Sequence, residues 1–308
     1  MKTGRTQGRV VAKFGRRYLI EPLLPSGAAS TDAAAAVREA IVRGRRSDIV
    51  VGDVVECSAE QDVYVIEAIE ERRNLLMRAD ESRIKPLASN VDQIAIVFAP
   101  QPAPQTEFAW RALLAARAAH ADALAILNKI DLEGEAAASA HTALEKIAGL
   151  GARTLRVSAK KDPEPARQAL DELCRGRTTL FVGQSGMGKS TMLNLMVGPE
   201  LRTGALSSDG RHGRQTTTST RWLPYGADGA VIDSPGFHEF GIAHVSAASL
   251  VEWMPDFAAV GGGCRFANCR HAEEPDCVIR AAVAAGSISA ERYAFYRKLL
   301  AQPTTAAP

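Results

Sequence analysis

The chain has 308 residues, 46% of them apolar and 23% charged, with a formal net charge of +2. That length holds two or three modules, and that composition excludes a disordered or fibrous chain. No apolar run approaches the roughly 20 residues that span a bilayer, and Met1-Lys2-Thr3-Gly4-Arg5 leads into polar sequence without the apolar core of a signal peptide. The expectation is a cytoplasmic protein with no membrane partner.

Residues 2 to 17 carry Lys2, Arg5, Arg9, Lys13, Arg16 and Arg17 without one acid. Taken alone, such a run serves equally as a solvated face or as a contact to a phosphate backbone. Short β segments follow one another to residue 78: Arg9-Val10-Val11-Ala12, Tyr18-Leu19-Ile20-Glu21, Ile49-Val50-Val51 and Val63-Tyr64-Val65-Ile66. Their alternation, with turn residues between, predicts a small all-β barrel over residues 1–80. The alanine-rich stretch from Ser26 to Ala36 could bury little and reads as a surface insertion.

After Lys85-Pro86 the pattern changes to apolar runs separated by helix-compatible segments. Strands are expected at Gln93 to Phe98, Ala123 to Leu127, Thr154 to Val157, Thr179 to Val182 and Ala230 to Ile232, with helices such as Phe108 to Ala119 and Glu135 to Leu150 between them. This predicts a central α/β domain with a mainly parallel sheet over residues 81–245.

Within it, Gly183-Gln184-Ser185-Gly186-Met187-Gly188-Lys189-Ser190 follows an apolar strand and opens a helix. In that setting G-x-x-x-x-G-K-S is a phosphate loop: glycines let backbone N–H groups turn around phosphate oxygens, and the helix N-terminus favours negative charge. Lys189 would reach the β- and γ-phosphates and Ser190 would ligate Mg²⁺, with the nucleotide-binding stretch ending at Thr191. Downstream, Asp233-Ser234-Pro235-Gly236 ends a strand; Asp233 would hold the Mg²⁺ shell and the Gly236 N–H would sense the γ-phosphate. Between the two, a polar stretch from Arg211 to Thr218 offers a threonine to the metal, Thr217 ahead of Thr216.

Asn128-Lys129-Ile130-Asp131 follows another apolar strand and chooses the base. Asp131 can accept from guanine N1–H and N2–H₂, a pair adenine does not present. The Lys129 stem can lie along the base, and Asn128 can tie this loop to the phosphate loop. Ser158-Ala159-Lys160 adds a backbone N–H at Ala159 for guanine O6. The base motifs precede the phosphate loop, an unusual order. Loops at the carboxyl ends of parallel strands meet whatever the chain order, so the site survives permutation. The sensing segment after Gly236 then runs into the C-terminal module, which suggests that nucleotide state is conveyed there by covalent continuity.

That module, residues 246–308, reads as mainly helical, with a last helix from Ser289 to Leu300. It holds three of the five cysteines, in the set Cys264, Cys269, His271 and Cys277. Three thiolates and one imidazole make a closed tetrahedral Zn²⁺ set with no position for water. Cys57 and Cys174 read as core residues.

The ensemble of N-K-I-D, S-A-K, G-Q-S-G-M-G-K-S, Q-T-T-T, D-S-P-G and the Cys-Cys-His-Cys spacing resembles the circularly permuted, ribosome-small-subunit-dependent GTPase A family across nearly the whole chain. The resemblance implies an N-terminal OB-fold barrel, a permuted GTPase domain and a C-terminal zinc module. It also implies GTP hydrolysis that aids late maturation of the small ribosomal subunit, with barrel and zinc module touching rRNA; a monomer is expected. The basic arm fits this, with Arg43, Arg45 and Arg46 as a second candidate contact.

Phe237 follows D-S-P-G, where many small GTPases carry a water-orienting glutamine. The free enzyme should therefore be slow. Of the two histidines in this segment, His238 and His244, the family's Phe-Gly-x-x-His pattern matches Phe240-Gly241-Ile242-Ala243-His244, which makes His244 the candidate to position water. A competing reading is an RNA-binding checkpoint for which nucleotide is only a ligand. Asp131 argues against a P-loop kinase or ATPase.

Overall fold

The structure is a computed structural model, and it describes residues 5–23, 37–44, 48–60, 63–80, 83–199, 220–234, 239–242 and 245–302. Lys2, the stretch Ser26 to Ala36, Arg45 and Arg46 lie outside these residues.

Five strands close a barrel: β1 (Arg5–Phe14), β2 (Arg17–Pro22), β3 (Arg38–Val42), β4 (Val54–Glu60) and β5 (Val63–Ile69). They pair in the order β1-β2-β3-β5-β4 and back to β1, with β3 and β5 parallel. Closure depends on β1, which is ten residues long and irregular between Val10 and Ala12. Its first half, Arg5 to Arg9, pairs with β4, and from Gly8 onward it pairs with β2. A bulge bends one strand enough to serve both neighbours. Val10, Tyr18, Ile20, Val55, Cys57 and Ile66 fill the interior. Desolvation pushes the Cys57 thiol up to about 12, so it is an inert core residue.

Ile49-Val50-Val51, expected as a strand, makes only an isolated bridge from Val51 to Ala88. Asp53 is the reason. Its carboxylate, fully buried, accepts the Val50 N–H at 2.8 Å and bends the segment back. Gly52 sits at φ +95°, where a Cβ would lie 2.2 Å from the Ser89 carbonyl oxygen. The same carboxylate takes Arg72 through Nε at 2.7 Å and Nη2 at 2.8 Å, and the Ser89 hydroxyl at 2.6 Å. One acid thus joins the barrel to the segment that leaves it.

That segment forms a hairpin of β6 (Leu75–Asp80) and β7 (Arg83–Ser89), which escaped the sequence reading. It belongs to a separate three-stranded sheet, so the barrel's own strands end at Ile69 and residue 80 falls at the end of β6.

The central sheet is built from β8 (Gln93–Phe98), β9 (Asp122–Leu127), β10 (Arg153–Arg156), β11 (Thr178–Val182), β12 (Arg221–Tyr225) and β13 (Gly229–Asp233). Their spatial order is β10-β9-β8-β11-β13-β12, parallel except for β12. Every residue of β8 and β11 is buried, as a parallel strand covered on both faces requires. Helices α1 (Thr106–Ala118), α2 (Glu135–Gly149), α3 (Pro163–Cys174) and α4 (Lys189–Val197) connect the strands. Cys174 is buried at the end of α3, its thiol raised to about 11 by desolvation. β12, which carries Pro224, was not anticipated; it lies antiparallel to β13 and also meets β1, so barrel and central sheet form one eleven-stranded sheet.

After β13 the chain adds β14 (Glu239–Phe240) to β6, then enters α5 (Ala247–Trp253), α6 (Pro255–Ala258), α7 (Val278–Ala284) and α8 (Ala290–Leu300). Ser289 caps α8 by accepting the Arg292 N–H at 3.2 Å. This helical module packs on α1, with the Trp110 and Phe295 rings 5.3 Å apart and Lys298 Nζ 2.6 Å from Glu107. No helix among the described residues is long and apolar enough to cross a membrane.

Asp53→Ala leaves the half-buried Arg72 cation without its partner, at an expected loss of about 3 kcal/mol. Urea unfolding followed by barrel tyrosine fluorescence should show the lowered midpoint.

Candidate nucleotide and metal sites

The chain runs outward from β8 through β9 to β10, then returns to place β11 on the other side of β8. The order of strands therefore reverses between β8 and β11, and ligand crevices open at the carboxyl ends of strands around such a point. The loops after β8, β9, β10, β11 and β13 gather there.

Asn128, 3% exposed, is the fastener. Its Nδ2 donates to the Met187 carbonyl at 2.9 Å, and its Oδ1 accepts the Ala159 N–H at 3.1 Å. One side chain joins the phosphate loop to the loops that carry N-K-I-D and S-A-K. Gly188, at φ +94°, has to be glycine, because a Cβ would stand 2.1 Å from Asn128 Nδ2. Lys129, itself at φ +60°, sends Nζ to the carbonyls of Gly186 at 2.8 Å and Gln101 at 2.7 Å. The Ser158 hydroxyl donates to Asp131, and this bond holds the Asp131 carboxyl below the ordinary carboxylate range, with smaller help from Lys161 and Lys129. An ionised Asp131 is the acceptor that a guanine edge needs.

Lys189 Nζ donates to the Ser234 carbonyl, which brings the phosphate loop to the end of β13. Ser234 in turn donates its hydroxyl to the Phe181 carbonyl at 3.0 Å, and Asp233 is 2% exposed beside it. Ser190 and Thr191 stand in the first turn of α4, Gln184 is half-buried and Ser185 exposed in the loop, and Lys160 is exposed next to Ala159. Thr216, Thr217, Gly236, Phe237, His238 and His244 lie outside the described residues. The Ala159 N–H, expected to face guanine O6, is engaged by Asn128 here.

Gln101 and Gln105 were not singled out from the sequence. The Gln105 N–H, at the start of α1, meets Gln184 Oε1 at 3.4 Å. Their signal is their place after a buried parallel strand, on the same carboxyl edge; Pro100, Pro102 and Pro104 give the segment the composition of a plain loop.

In the helical module the donor atoms of Cys264, Cys269, His271 and Cys277 all lie within 4.8 Å of one another. Cys264 Sγ is 3.5 Å from His271 Nδ1 and 4.0 Å from Cys277 Sγ, and His271 Nδ1 is 3.3 Å from Cys277 Sγ. Tetrahedral ligands at about 2.3 Å from one ion are about 3.8 Å apart, so the set fits a single metal. His271 is held at φ +58°, and a hydroxyl from α8 secures its backbone: Tyr293 donates to the His271 carbonyl at 2.8 Å. Glu274 organises the knuckle, accepting N–H groups from Arg270, Ala272 and Glu273 at 2.9, 2.8 and 3.0 Å, which lowers its carboxyl to about 2.

A phosphate loop, a carboxylate suited to a guanine edge and a lysine-to-β13 contact at one crevice define a P-loop GTPase with circularly permuted strands. The profile of the RsgA GTPase family matches residues 69–243. A small ribosomal subunit biogenesis GTPase RsgA from Paraburkholderia phymatum is 42% identical over 301 residues, covering 96% of this chain and 91% of that protein. Its counterpart from Paraburkholderia phytofirmans is 43% identical over 303 residues, covering 96% and 93%. YjeQ from Thermotoga maritima superposes with a TM-score of 0.67 at 27% identity, covering 97% of this chain and all of that one. YloQ, a circularly permuted GTPase, shares the fold with a TM-score of 0.65 at 24% identity, covering 96% of this chain and 94% of that one. The chain belongs to the RsgA GTPase family and is a GTP hydrolase.

Asn128→Ala removes two hydrogen bonds that set the loops, and should weaken GDP and GTP about tenfold or more, read by titration with a fluorescent guanine nucleotide. Glu274 contributes stability above the ordinary carboxylate range that is lost as pH falls from about 4.5 toward 2. Acid unfolding of the helical module should lose that step in Glu274→Gln.

Proposed function

We propose that this chain binds the small ribosomal subunit during its late maturation, hydrolyses GTP there at a rate the subunit stimulates, and leaves in the GDP state. The observation that carries the nucleotide half of this reading is Asn128 bridging Met187 and Ala159. The subunit half is supported by relatives above 40% identity that are named for small ribosomal subunit biogenesis.

In this reading GTP sits on residues 183 to 191, with Gly183, Gly186 and Gly188 shaping the loop and Lys189 leaving Ser234 for the phosphates. Asp131, Ser158, Ala159 and Lys160 surround the guanine. Ser190, Asp233 and Thr217 hold Mg²⁺, which neutralises phosphate charge. Gly236 senses the γ-phosphate, and His244 orients the attacking water. Support for His244 comes from the first half of its motif: Phe240 is fully buried 6.3 Å from the Phe108 ring, and the Gly241 N–H donates to Met77 at 3.0 Å. Cys264, Cys269, His271 and Cys277 hold Zn²⁺, which crosslinks a small module with few other staples.

The barrel face that meets rRNA is narrower than the basic run suggests. Lys13 donates to the Ile49 carbonyl at 2.8 Å and Arg9 lies over Trp222, so neither faces outward freely. Arg5 and Arg17, each 74% exposed, are paired only at the surface with Glu56 and Glu39, bonds weak enough for phosphates to replace. The protein acts as a cytoplasmic monomer.

GTP turnover measured with and without purified small subunits tests the proposal, with an expected rise of about tenfold or more on adding subunits. Nucleotide-dependent binding with no rise in turnover would instead identify a checkpoint module. His244→Ala should lose about 10²-fold of the stimulated rate; full retention would remove His244 from the mechanism.

A further inference from the structure

The helical module meets the GTPase domain around one buried cation. Arg292, in the first turn of α8, is 4% exposed, and its guanidinium carbon stands 5.1 Å from the centre of the Trp110 ring on α1 and 5.6 Å from that of Phe295. From α6, the Asp256 carboxylate accepts Nε at 2.9 Å and Nη2 at 3.4 Å. Trp110 is buried too, so cation and ring meet out of water, where such a contact is stronger than at a surface. Arg292 Nη1 and Trp110 Nε1 have no acceptor among the described residues. Buried donors left without acceptors cost free energy, which lowers the cost of parting the two surfaces. The other end of α1 borders the phosphate loop. The Gln105 N–H meets Gln184 Oε1 at 3.4 Å, Lys129 Nζ holds the Gln101 and Gly186 carbonyls together, and a Cβ added at Gly186 would stand 3.4 Å from Pro102. Trp110 lies five residues along the helix from Gln105, about 7.5 Å. Every residue from Phe108 to Ala116 is buried, so α1 moves as a packed rod.

We infer that Arg292 is a positioning residue for the phosphate loop: by clamping Trp110 between the helical module and the GTPase domain, it holds α1 and the Gln101 to Gln105 segment against Gln184 and Gly186, and so sets how tightly GDP is kept. The inference rests on the proposed function, in which residues 183 to 191 hold the phosphates. The same helix carries the signal from the far side of the module. Tyr293 and Tyr296 of α8 donate to the His271 and Arg270 carbonyls, each at 2.8 Å. A partner that bears on this knuckle therefore displaces α8, eases Arg292 from Trp110 and loosens the phosphate loop, while the guanine loops after β9 and β10 keep their places. Coupling of this kind passes through contiguous packed groups, each of which can be cut separately.

The test uses the full chain and measures the affinity and release rate of a fluorescent GDP. Arg292→Ala should weaken GDP about fivefold or more, mostly through faster release. Arg292→Lys keeps the charge but not the flat fork, and should recover only part of the loss. Trp110→Phe, which keeps a ring face, should stay nearer the parent than Trp110→Ala, and Arg292→Ala should add nothing to Trp110→Ala. Arg280→Ala removes two bonds to the Glu273 and Glu274 carbonyls inside the helical module and should leave GDP at the parent value. If it weakens GDP as much as Arg292→Ala does, general loosening of the module is the cause and the inference is overturned. Coupling is reciprocal, so in a chain whose sole tryptophan is Trp110, made by Trp222→Phe and Trp253→Phe, GDP should shift the emission and Arg292→Ala should abolish that shift. An emission that GDP does not move also overturns the inference. If Lys189→Ala weakens GDP and Arg292→Ala does not, the inference falls alone; if Lys189→Ala leaves GDP at the parent affinity, the reading of residues 183 to 191 falls and the inference falls with it.

Discussion

The site depends on the side-chain amide of Asn128. A carboxamide offers a donor and an acceptor on opposite sides, and here each is used on a different loop, Met187 on one side and Ala159 on the other. Because the amide is buried, neither bond competes with water, and losing either leaves a polar group stranded. The phosphate loop and the loop of Ser158 to Lys160 are therefore not two independent segments that happen to be adjacent. Their spacing is set by one residue whose position is fixed by the end of β9, and Gly188 is glycine because that residue needs the room.

A second buried group, the Asp53 carboxylate, does for the modules what Asn128 does for the loops. It satisfies four donors from three segments: Val50, Arg72 twice, and Ser89. Arg73, the next residue after Arg72, pairs with Asp92 at 2.7 Å, and Asp92 accepts the Thr178 N–H at 2.7 Å. Barrel, hairpin and phosphate-loop strand are thereby joined through a few short polar contacts. Such contacts have fixed directions, so they orient the modules as well as hold them.

What could be read from the sequence was whatever carries its own local signal. The strands β8, β9 and β11 are largely apolar runs, the phosphate loop is a spaced set of glycines, and the three cysteines and one histidine of the candidate metal site are clustered within fourteen residues. The elements that escaped reading owe their form to distant partners. β12 contains a proline and is a strand because β13 and β1 flank it; β14 is two residues long and exists only against β6. Ile49 to Val51 has strand composition, yet Asp53 takes one of its N–H groups and bends it away. The roles of Arg9 and Lys13 were hidden for the same reason, since a run of basic residues does not disclose which of them a tertiary aromatic or carbonyl will claim.

The permuted order has a structural consequence at the other end of the site. Entering the parallel sheet at β8 makes the β6–β7 hairpin the approach to the domain, and β14, which follows the D-S-P-G stretch, pairs with that hairpin. Had the chain entered at β11, the hairpin would not precede β8, and the sensing segment would have no such edge to join. On its way into the helical module the chain therefore docks as a strand, pinned where a Cβ added at Gly241 would stand 2.9 Å from Arg78 and Ile84. The helical module also touches the GTPase domain through α1, by the Trp110–Phe295 and Glu107–Lys298 contacts. Since the first N–H groups of α1 begin at Gln105, which meets Gln184 of the phosphate loop, the helical module is linked to the phosphate loop by packing along a helix, and the barrel by strands.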